Sequence, residues 1–541
     1  MKHISKNKNS KESWFSAPLD LRIYIIFAVI SLIFLFYSIW EIKPVTVDLY
    51  DFLGLTSHLT TIYWIGYILI ILLSIKLYLD EQIKRDFIYI IYLIVIGLFL
   101  FGVPVFAEEN ARFAFSYYPA GEVKQVLKSG YIDSLSTYPL ISYRSWPATH
   151  IISAYMIYLG NIDFESLIKY MPLFWVVFFI IITFGTGRFL KLSLNQSFLF
   201  SFVSLSSFWQ FHYYYGPQAM AYLMYLLLFM LFIRYFESVK ERFVTFLIFC
   251  AIVTTHLLSS MFVLIAFFFK SIQKRFIFVL PLAIIFLAWY VYLAPYMFNV
   301  GVREFFRQAN SIEMLNSLTA SKYETGELFT RQITQYSRLS YLGILGIPVI
   351  IGAFRFITGK IKSNKKEIEI CFYWILAISV FILLRYGRAE IEDRMYIFVI
   401  IPAVGIMILS LNRKFLVIIM LMVSLLHLPA HYGNESSDMT YQSELKGAEF
   451  FAFKSSVDKR GFFYLGNPYI QYFNFSTSKI NFNWRRINNE NLYEPRYIIF
   501  SKRDNNFILY RDGINAISIW FSQEKFDFIY NNGDFKILRN I

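Results

Sequence analysis

FIYIIYLIVIGLFLFGVPVFAEENAR, residues 87–112, contains the stretch that sets the architecture of this chain. Its apolar part, 87–107, has no charged side chain and is long enough to cross about 30 Å of hydrocarbon as a helix. It ends in two carboxylates, Glu108 and Glu109, and Arg112 follows about one helical turn later. The stretch therefore predicts a membrane-spanning helix whose charged end meets water.

Similar apolar runs recur through all but the last part of the 541-residue chain. Hydrophobic residues make up 57% of the sequence and charged residues only 16%, which argues against a soluble enzyme and indicates a polytopic membrane protein. We predict an all-α membrane protein with about 13 transmembrane helices. The runs lie near residues 21–40, 61–79, 87–107, 170–188, 196–211, 217–236, 243–257, 258–271, 276–298, 341–358, 367–386, 394–411 and 414–430.

Basic residues lie in short clusters between these runs, so the net charge of +14 reflects topology and does not indicate nucleic acid binding. With the lysine-rich N-terminus in the cytoplasm, every inner loop obtained by alternation is short and basic. The C-terminal region is then extracytoplasmic. If residues 146–161 also crossed the membrane, every later loop would change sides, and the basic loops would lie outside. We therefore expect 146–161 to form a helix that lies in the outer interface.

This topology divides the chain into four parts. They are a cytoplasmic N-terminus (1–20), two additional transmembrane helices (21–86), a main transmembrane domain (87–430) with outer loops 108–169 and 299–340, and an extracytoplasmic α/β domain (431–541). The last part predicts a helix over 442–453 and strands at 461–466, 496–501 and 507–511. It ends in a hairpin that pairs 526–530 with 535–538 around an Asn-Gly turn.

The carboxylates at the end of the 87–107 run are the first candidates for chemistry. Glu108 or Glu109 could accept a proton from a hydroxyl, or hold a divalent cation against a diphosphate. Adjacent residues cannot both point into one pocket, and a solvated, charged helix end is the plainer alternative. Arg112 could pair with Glu108 or face an anionic group.

Three arginines in an outer turn form the second candidate group: Arg385, Arg388 and Arg394, with Glu392 beside them. Guanidinium groups suit bidentate phosphate binding, whereas a turn neutralised by its own carboxylates is the structural alternative. Further candidates for substrate contacts occupy outer loops or helix ends. They are Arg144, His150, His212, Tyr215, Gln218 and His256, the last at the tip of a short hairpin formed by 243–257 and 258–271.

This layout resembles the GT-C superfamily of integral-membrane glycosyltransferases, in its bacterial or archaeal form. The features that carry the resemblance are the acidic end of 87–109, the large outer loop after it, Tyr215-Gly216-Pro217-Gln218, Asp393-Arg394 and the α/β tail. The resemblance implies transfer of a sugar from a polyprenyl-phosphate-linked donor to a lipid, glycan or protein acceptor outside the membrane.

Under this hypothesis, Glu108 or Glu109 is the general base and the three arginines bind the donor phosphate. A divalent cation, Mg²⁺ or Mn²⁺, is a candidate cofactor held by one of the two glutamates. Three alternatives stay open: a transporter of lipid-linked oligosaccharide or polysaccharide, a polysaccharide polymerase, and an inactive scaffold whose outer domain binds a partner.

Overall fold

The computed structural model describes residues 21–48, 50–132, 144–209, 214–234, 238–274, 278–295, 298–299, 329–360, 364–383, 390–433, 435–454, 461–463, 497–502 and 526–540. Most of these residues are helical. The helices are α1 (Leu21–Ile42), α2 (Thr61–Leu79), α3 (Asp86–Ala107), α4 (Tyr117–Ser129), α5 (Ala148–Gly160), α6 (Phe164–Phe189), α7 (Leu194–Ser206), α8 (Pro217–Ile233), α9 (Val239–Thr255), α10 (Leu257–Lys274), α11 (Val279–Ala288), α12 (Phe329–Ile357), α13 (Lys365–Leu383), α14 (Glu390–Ser410), α15 (Arg413–Tyr432), α16 (Glu435–Asp438) and α17 (Gln442–Lys454).

Six of the described helices are long and apolar enough to cross a membrane: α1, α2, α3, α6, α12 and α15. Four further apolar segments are shorter: Pro217–Ile233, Leu257–Phe269, Val279–Leu293 and Tyr396–Ser410. A multi-pass membrane protein is thus supported by length and composition, although thirteen spans are not established. The hairpin expected from 243–257 and 258–271 is longer than predicted, because α9 begins at Val239 and α10 continues to Lys274.

Two prolines inside the described helices, Pro104 and Pro402, are accommodated by tyrosines from neighbouring helices. Proline has no N–H, so the carbonyl four residues earlier loses its usual partner. For Pro104 that carbonyl belongs to Leu100, and it accepts a hydrogen bond from the Tyr432 hydroxyl at 2.7 Å. For Pro402 it belongs to Phe398 and accepts from the Tyr225 hydroxyl at 2.8 Å. Each such bond satisfies a buried polar group where no water is at hand.

The short helix α7 ends deep in the bundle, and its last carbonyls are bonded by side chains from three other helices. The Ser206 carbonyl accepts from Tyr341 at 2.9 Å and faces the His427 ring at 2.8 Å. The Ser207 carbonyl accepts from Tyr396 at 2.9 Å. These contacts satisfy carbonyls that a helix end leaves without intrahelical donors. They also gather α12, α14 and α15 around the end of α7.

The opposite end of the bundle is tied by polar contacts between the predicted inner loops. Arg413 at the start of α15 bonds Glu81 at 2.6 Å, just after α2. Lys191 after α6 bonds Glu367 on α13 at 2.6 Å. Because α3 and α15 both begin at this end, Glu108, directly after α3, and Tyr432, the last residue of α15, both lie toward the other end, where Tyr432 contacts α3.

The described part of the C-terminal region contains α17 and four strands: β1 (Gly461–Phe463), β2 (Tyr497–Ser501), β3 (Phe526–Asn531) and β4 (Phe535–Asn540). The sheet order is β1-β2-β4-β3, with β1 and β2 parallel and the other pairs antiparallel. The predicted hairpin is confirmed, and Gly533 adopts a φ of 92° at its turn. The helix predicted over 442–453 is also confirmed, whereas the strand predicted at 507–511 lies outside the described residues.

Candidate functional site at the end of α3

The end of α3 separates the two candidate glutamates. Glu108 is the first residue with extended backbone after the helix, and its side chain is only 1% exposed, whereas Glu109 points outward. Lys169 of α6 donates to the Glu108 carbonyl at 2.8 Å and to the Glu109 carbonyl at 3.2 Å. This lysine satisfies carbonyls at the helix end and fixes the direction in which Glu108 enters the protein.

The Arg112 side chain bonds a segment more than three hundred residues away. Its Nε donates to Glu435 Oε1 at 2.7 Å and its Nη2 to Glu435 Oε2 at 2.8 Å, a bidentate pair. Asp438 lies at 3.6 Å from Nη2, and Nη1 faces His431 Nε2 at 2.9 Å. We call Glu108, Arg112, His431, Glu435 and Asp438 the Arg112 cluster.

His431 has a defined tautomer in this cluster. Its Nδ1 lies 2.9 Å from the Trp209 carbonyl, which can only accept, so Nδ1 carries the proton. Its Nε2 therefore accepts from Arg112, an arrangement that requires a neutral imidazole. Trp209, whose carbonyl bonds His431, also contacts α14: its ring stacks on Tyr396 with the ring centroids 5.1 Å apart. Arg394 precedes Tyr396 by two residues on the same helix.

Glu108 is the unusual member of the Arg112 cluster. Both of its carboxyl oxygens are buried, and within the described residues neither has a partner of regular hydrogen-bond geometry. The Glu435 carboxyl nevertheless lies close enough to interact with Glu108 through a shared proton. Burial raises the pKa of Glu108 well above its usual range; the Glu435 carboxylate raises it further, and Arg112 opposes them. A buried carboxyl with a raised pKa, beside a second carboxyl and a guanidinium, is a candidate functional group.

Several predicted residues lie instead on or beside α4, α5 and the start of α8. Glu122 of α4 accepts from Arg144 Nε at 2.8 Å, and the Tyr215 hydroxyl bonds Ser153 of α5 at 2.7 Å. His150 is fully buried and lies one turn before Ser153 on α5. We call Glu122, Arg144, His150, Ser153 and Tyr215 the α4–α5 cluster. Gln218 is buried nearby in sequence, at the start of α8.

The Glu122 carboxyl has a perturbed pKa. Burial raises it to about 7, and the Arg144 guanidinium opposes that rise. Since the folded state binds this proton more tightly than the unfolded chain does, the contribution of Glu122 to stability is lost as pH rises through about 7. The pair therefore makes stability depend on pH near neutrality.

We expect Arg144→Met to destabilise the protein more at pH 8 than at pH 5. Removing the guanidinium leaves a buried carboxylate at pH 8, a loss of about 3–5 kcal/mol for a broken buried pair. At pH 5 Glu122 is protonated with or without Arg144, so the loss is smaller. Thermal unfolding of the detergent-solubilised protein measures both values. The double variant E122Q/R144M should recover much of the loss at pH 8, and equal losses at the two pH values would contradict this account.

The remaining predicted site residues have other positions. His256 lies between α9 and α10, where its Nδ1 faces Ser259 Oγ at 3.1 Å and accepts from the Ser259 N–H at 3.4 Å. It therefore caps the start of α10, which is the plainer of the two roles open to it. Arg385, Arg388 and His212 lie outside the described residues, and for Glu392 and Arg394 only the helical backbone is described.

Five residues of these two clusters or beside them were not predicted from the sequence: Glu122, Lys169, His431, Glu435 and Asp438. A signal was available in residues 427–438, HLPAHYGNESSD, which place two histidines four residues apart and two carboxylates directly after them. The metal prediction gains no support here. Across the described ranges, no group of three or more His, Cys, Asp or Glu side chains is arranged to hold a metal ion.

No protein-family model and no curated protein matches the chain. Among solved structures, the chain is similar to the crystal structure of ArnT from Cupriavidus metallidurans in the apo state, at 10% sequence identity. The match covers 96% of this chain and 98% of that one, with a TM-score of 0.33. A score this low, at this identity, establishes neither a shared fold nor a shared activity.

Proposed function

We propose that this protein is a membrane glycosyltransferase that moves a sugar from a polyprenyl-phosphate-linked donor to an acceptor on the outer face of the membrane. One observation carries the proposal: the Glu108 carboxyl is buried beside the Glu435 carboxyl and the Arg112 guanidinium at the end of an apolar helix. A carboxyl whose pKa is raised in this way is a stronger base than an ordinary surface glutamate.

In the proposed reaction, Glu108 removes the proton of the acceptor hydroxyl as that oxygen attacks the anomeric carbon. A new glycosidic bond forms while the bond between the anomeric carbon and the phosphate oxygen breaks. The electron pair leaves with the polyprenyl phosphate, which departs as an anion and needs no strong general acid. The glutamate is returned to its charged form when the proton passes to water.

The leaving phosphate needs cationic groups, and we propose Arg385, Arg388 and Arg394 for this role. Support comes from the contacts of Tyr396, which lies near Arg394 on α14 and connects through Trp209 to His431 of the Arg112 cluster. Arg112 is a weaker candidate, because its Nε, Nη1 and Nη2 are all occupied by Glu435 and His431. We assign it the positioning of residues 431–438 against the end of α3.

The proposal is tested with the purified full-length chain in proteoliposomes that contain a pool of lipid-linked sugars. Glycosyl transfer predicts that polyprenyl phosphate is released in step with glycosylated acceptor. Movement of intact donor to the other leaflet without release would instead identify a transporter and overturn the proposal. Activity that is lost on chelation and restored by Mg²⁺ or Mn²⁺ would support the predicted cation, and unchanged activity would contradict it.

A further inference from the structure

Helix α5 has its polar side chains facing the protein and its large apolar side chains facing outward. Thr149, His150 and Ser153 are buried against the protein. On the other face Tyr158 is 78% exposed and Leu159 is 75% exposed, and further large apolar residues lie beside them: Ile151, Ile152 and Tyr155. A helix at a water-facing surface shows the reverse arrangement. The outward face of α5 is therefore suited to an apolar environment.

A shallow groove of about 390 Å³ runs along this outward face. Its walls are almost wholly apolar and are formed by Ile152, Tyr155, Met156, Leu159, Gly160 and Ile162. At the end of α5 the Ile162 side chain packs directly against Gly160, where a larger residue would have to displace it. This lining offers an apolar chain a surface to lie on.

The groove is next in sequence to a helix that is long and apolar enough to span a membrane. Its last residue, Ile162, lies two positions before α6, one of the helices long enough to cross a membrane. Phe174 and Phe178 continue the exposed apolar surface along α6. At about 1.5 Å per residue α5 itself rises only about 20 Å, too little to span the bilayer.

We propose that the groove on α5 binds an acyl chain of an outer-leaflet phospholipid, which fixes α5 at the membrane surface. A second copy of this chain is a less suitable occupant, because stable protein interfaces use about 20–30 residues a side and the groove offers a handful. His150 and Ser153 of the α4–α5 cluster lie on the opposite, buried face of α5, so they would lie at the level of the lipid headgroups. This inference does not depend on the glycosyltransferase proposal.

The test uses the full-length protein in nanodiscs of phosphatidylglycerol and phosphatidylethanolamine, with a photoreactive diazirine near the middle of the acyl chain. After illumination, mass spectrometry locates the adducts. We expect adducts within residues 152–162, and we expect Leu159→Asp to lower their yield at least fivefold. Leu159→Met, which keeps the apolar volume, should label like the wild type. Since Leu159 is exposed, neither change should disturb the fold.

Three outcomes would overturn the inference. Adducts on Phe174 and Phe178 of α6 without adducts at 152–162 would show that lipid does not reach the groove. Equal labelling of the Leu159→Asp variant would show that the groove does not hold the chain. Crosslinks between copies through 152–162 would make the occupant a second protein molecule.

Discussion

Replacing Glu108 with glutamine is expected to lower the rate of sugar transfer by about 10²–10⁴-fold, the usual contribution of a general base. The amide keeps the size of the side chain but cannot accept the proton. The wild-type rate should rise with pH through the raised pKa of Glu108, because only the deprotonated carboxyl acts as a base. Release of polyprenyl phosphate, followed across pH, measures both effects.

The same substitution should not destabilise the protein. Burial, assisted by Glu435, raises the pKa of Glu108, so the folded state prefers the neutral carboxyl, which glutamine imitates. The stability that this preference contributes in the wild type is lost as pH rises through the folded-state pKa. Glu108→Gln should remove that loss, which thermal unfolding at several pH values would detect.

Glu109→Gln is the matched control, since Glu109 is adjacent but exposed. It should transfer sugar at close to the wild-type rate. A Glu108→Gln variant that is folded and fully active would exclude Glu108 as the base. Loss of activity in Glu109→Gln alone would move the assignment to its neighbour.

Replacing Arg112 with methionine is expected to destabilise the protein by about 3–5 kcal/mol, the range for breaking a buried ion pair. The Glu435 side chain is fully buried and would lose both of its guanidinium hydrogen bonds, and Asp438 would lose a nearby cation. Arg112→Lys should recover little, because a single ammonium group cannot reproduce the bidentate contact. Thermal unfolding in detergent measures the loss.

Arg413→Met provides the comparison from the other end of the bundle. Its pair with Glu81 is well exposed, and exposed pairs contribute about 0–1 kcal/mol. Arg413 also bonds backbone carbonyls of α2, so a small loss is expected, well below that of Arg112→Met. Equal losses for the two variants would contradict the structural role assigned to the Arg112 cluster.

Arg112 lowers the pKa of Glu108. If the Arg112→Met protein is active, its transfer rate should therefore rise at a higher pH than the wild-type rate does.

The sequence predicted features that depend on neighbours along the chain. The apolar runs predict the helices, and an Asn-Gly pair predicts the hairpin. Two adjacent residues cannot both point into one pocket, and Glu108 is indeed buried while Glu109 is exposed. These features follow from periodicity and local backbone geometry.

The partners of Arg112 could not be predicted in the same way. Glu435 and Asp438 come after the last span, and only the packing of α15 against α3 brings them to Arg112. Likewise, the role of His431 depends on the deep end of α7, where the Trp209 carbonyl fixes its tautomer. The Glu122 pair depends on the packing of α4 against α5, which a single sequence does not specify.

The proposed function requires the end of α3 and the arginine-bearing turn before α14 to form one site on the outer surface of the membrane. The most direct test places single cysteines at Glu109 and Arg388, with native Cys250 and Cys371 replaced by alanine, and treats intact cells with a membrane-impermeant thiol reagent. We predict that both positions react from outside, and that a lipid-linked donor analogue protects both. Labelling of the two positions from opposite sides of the membrane would contradict the account.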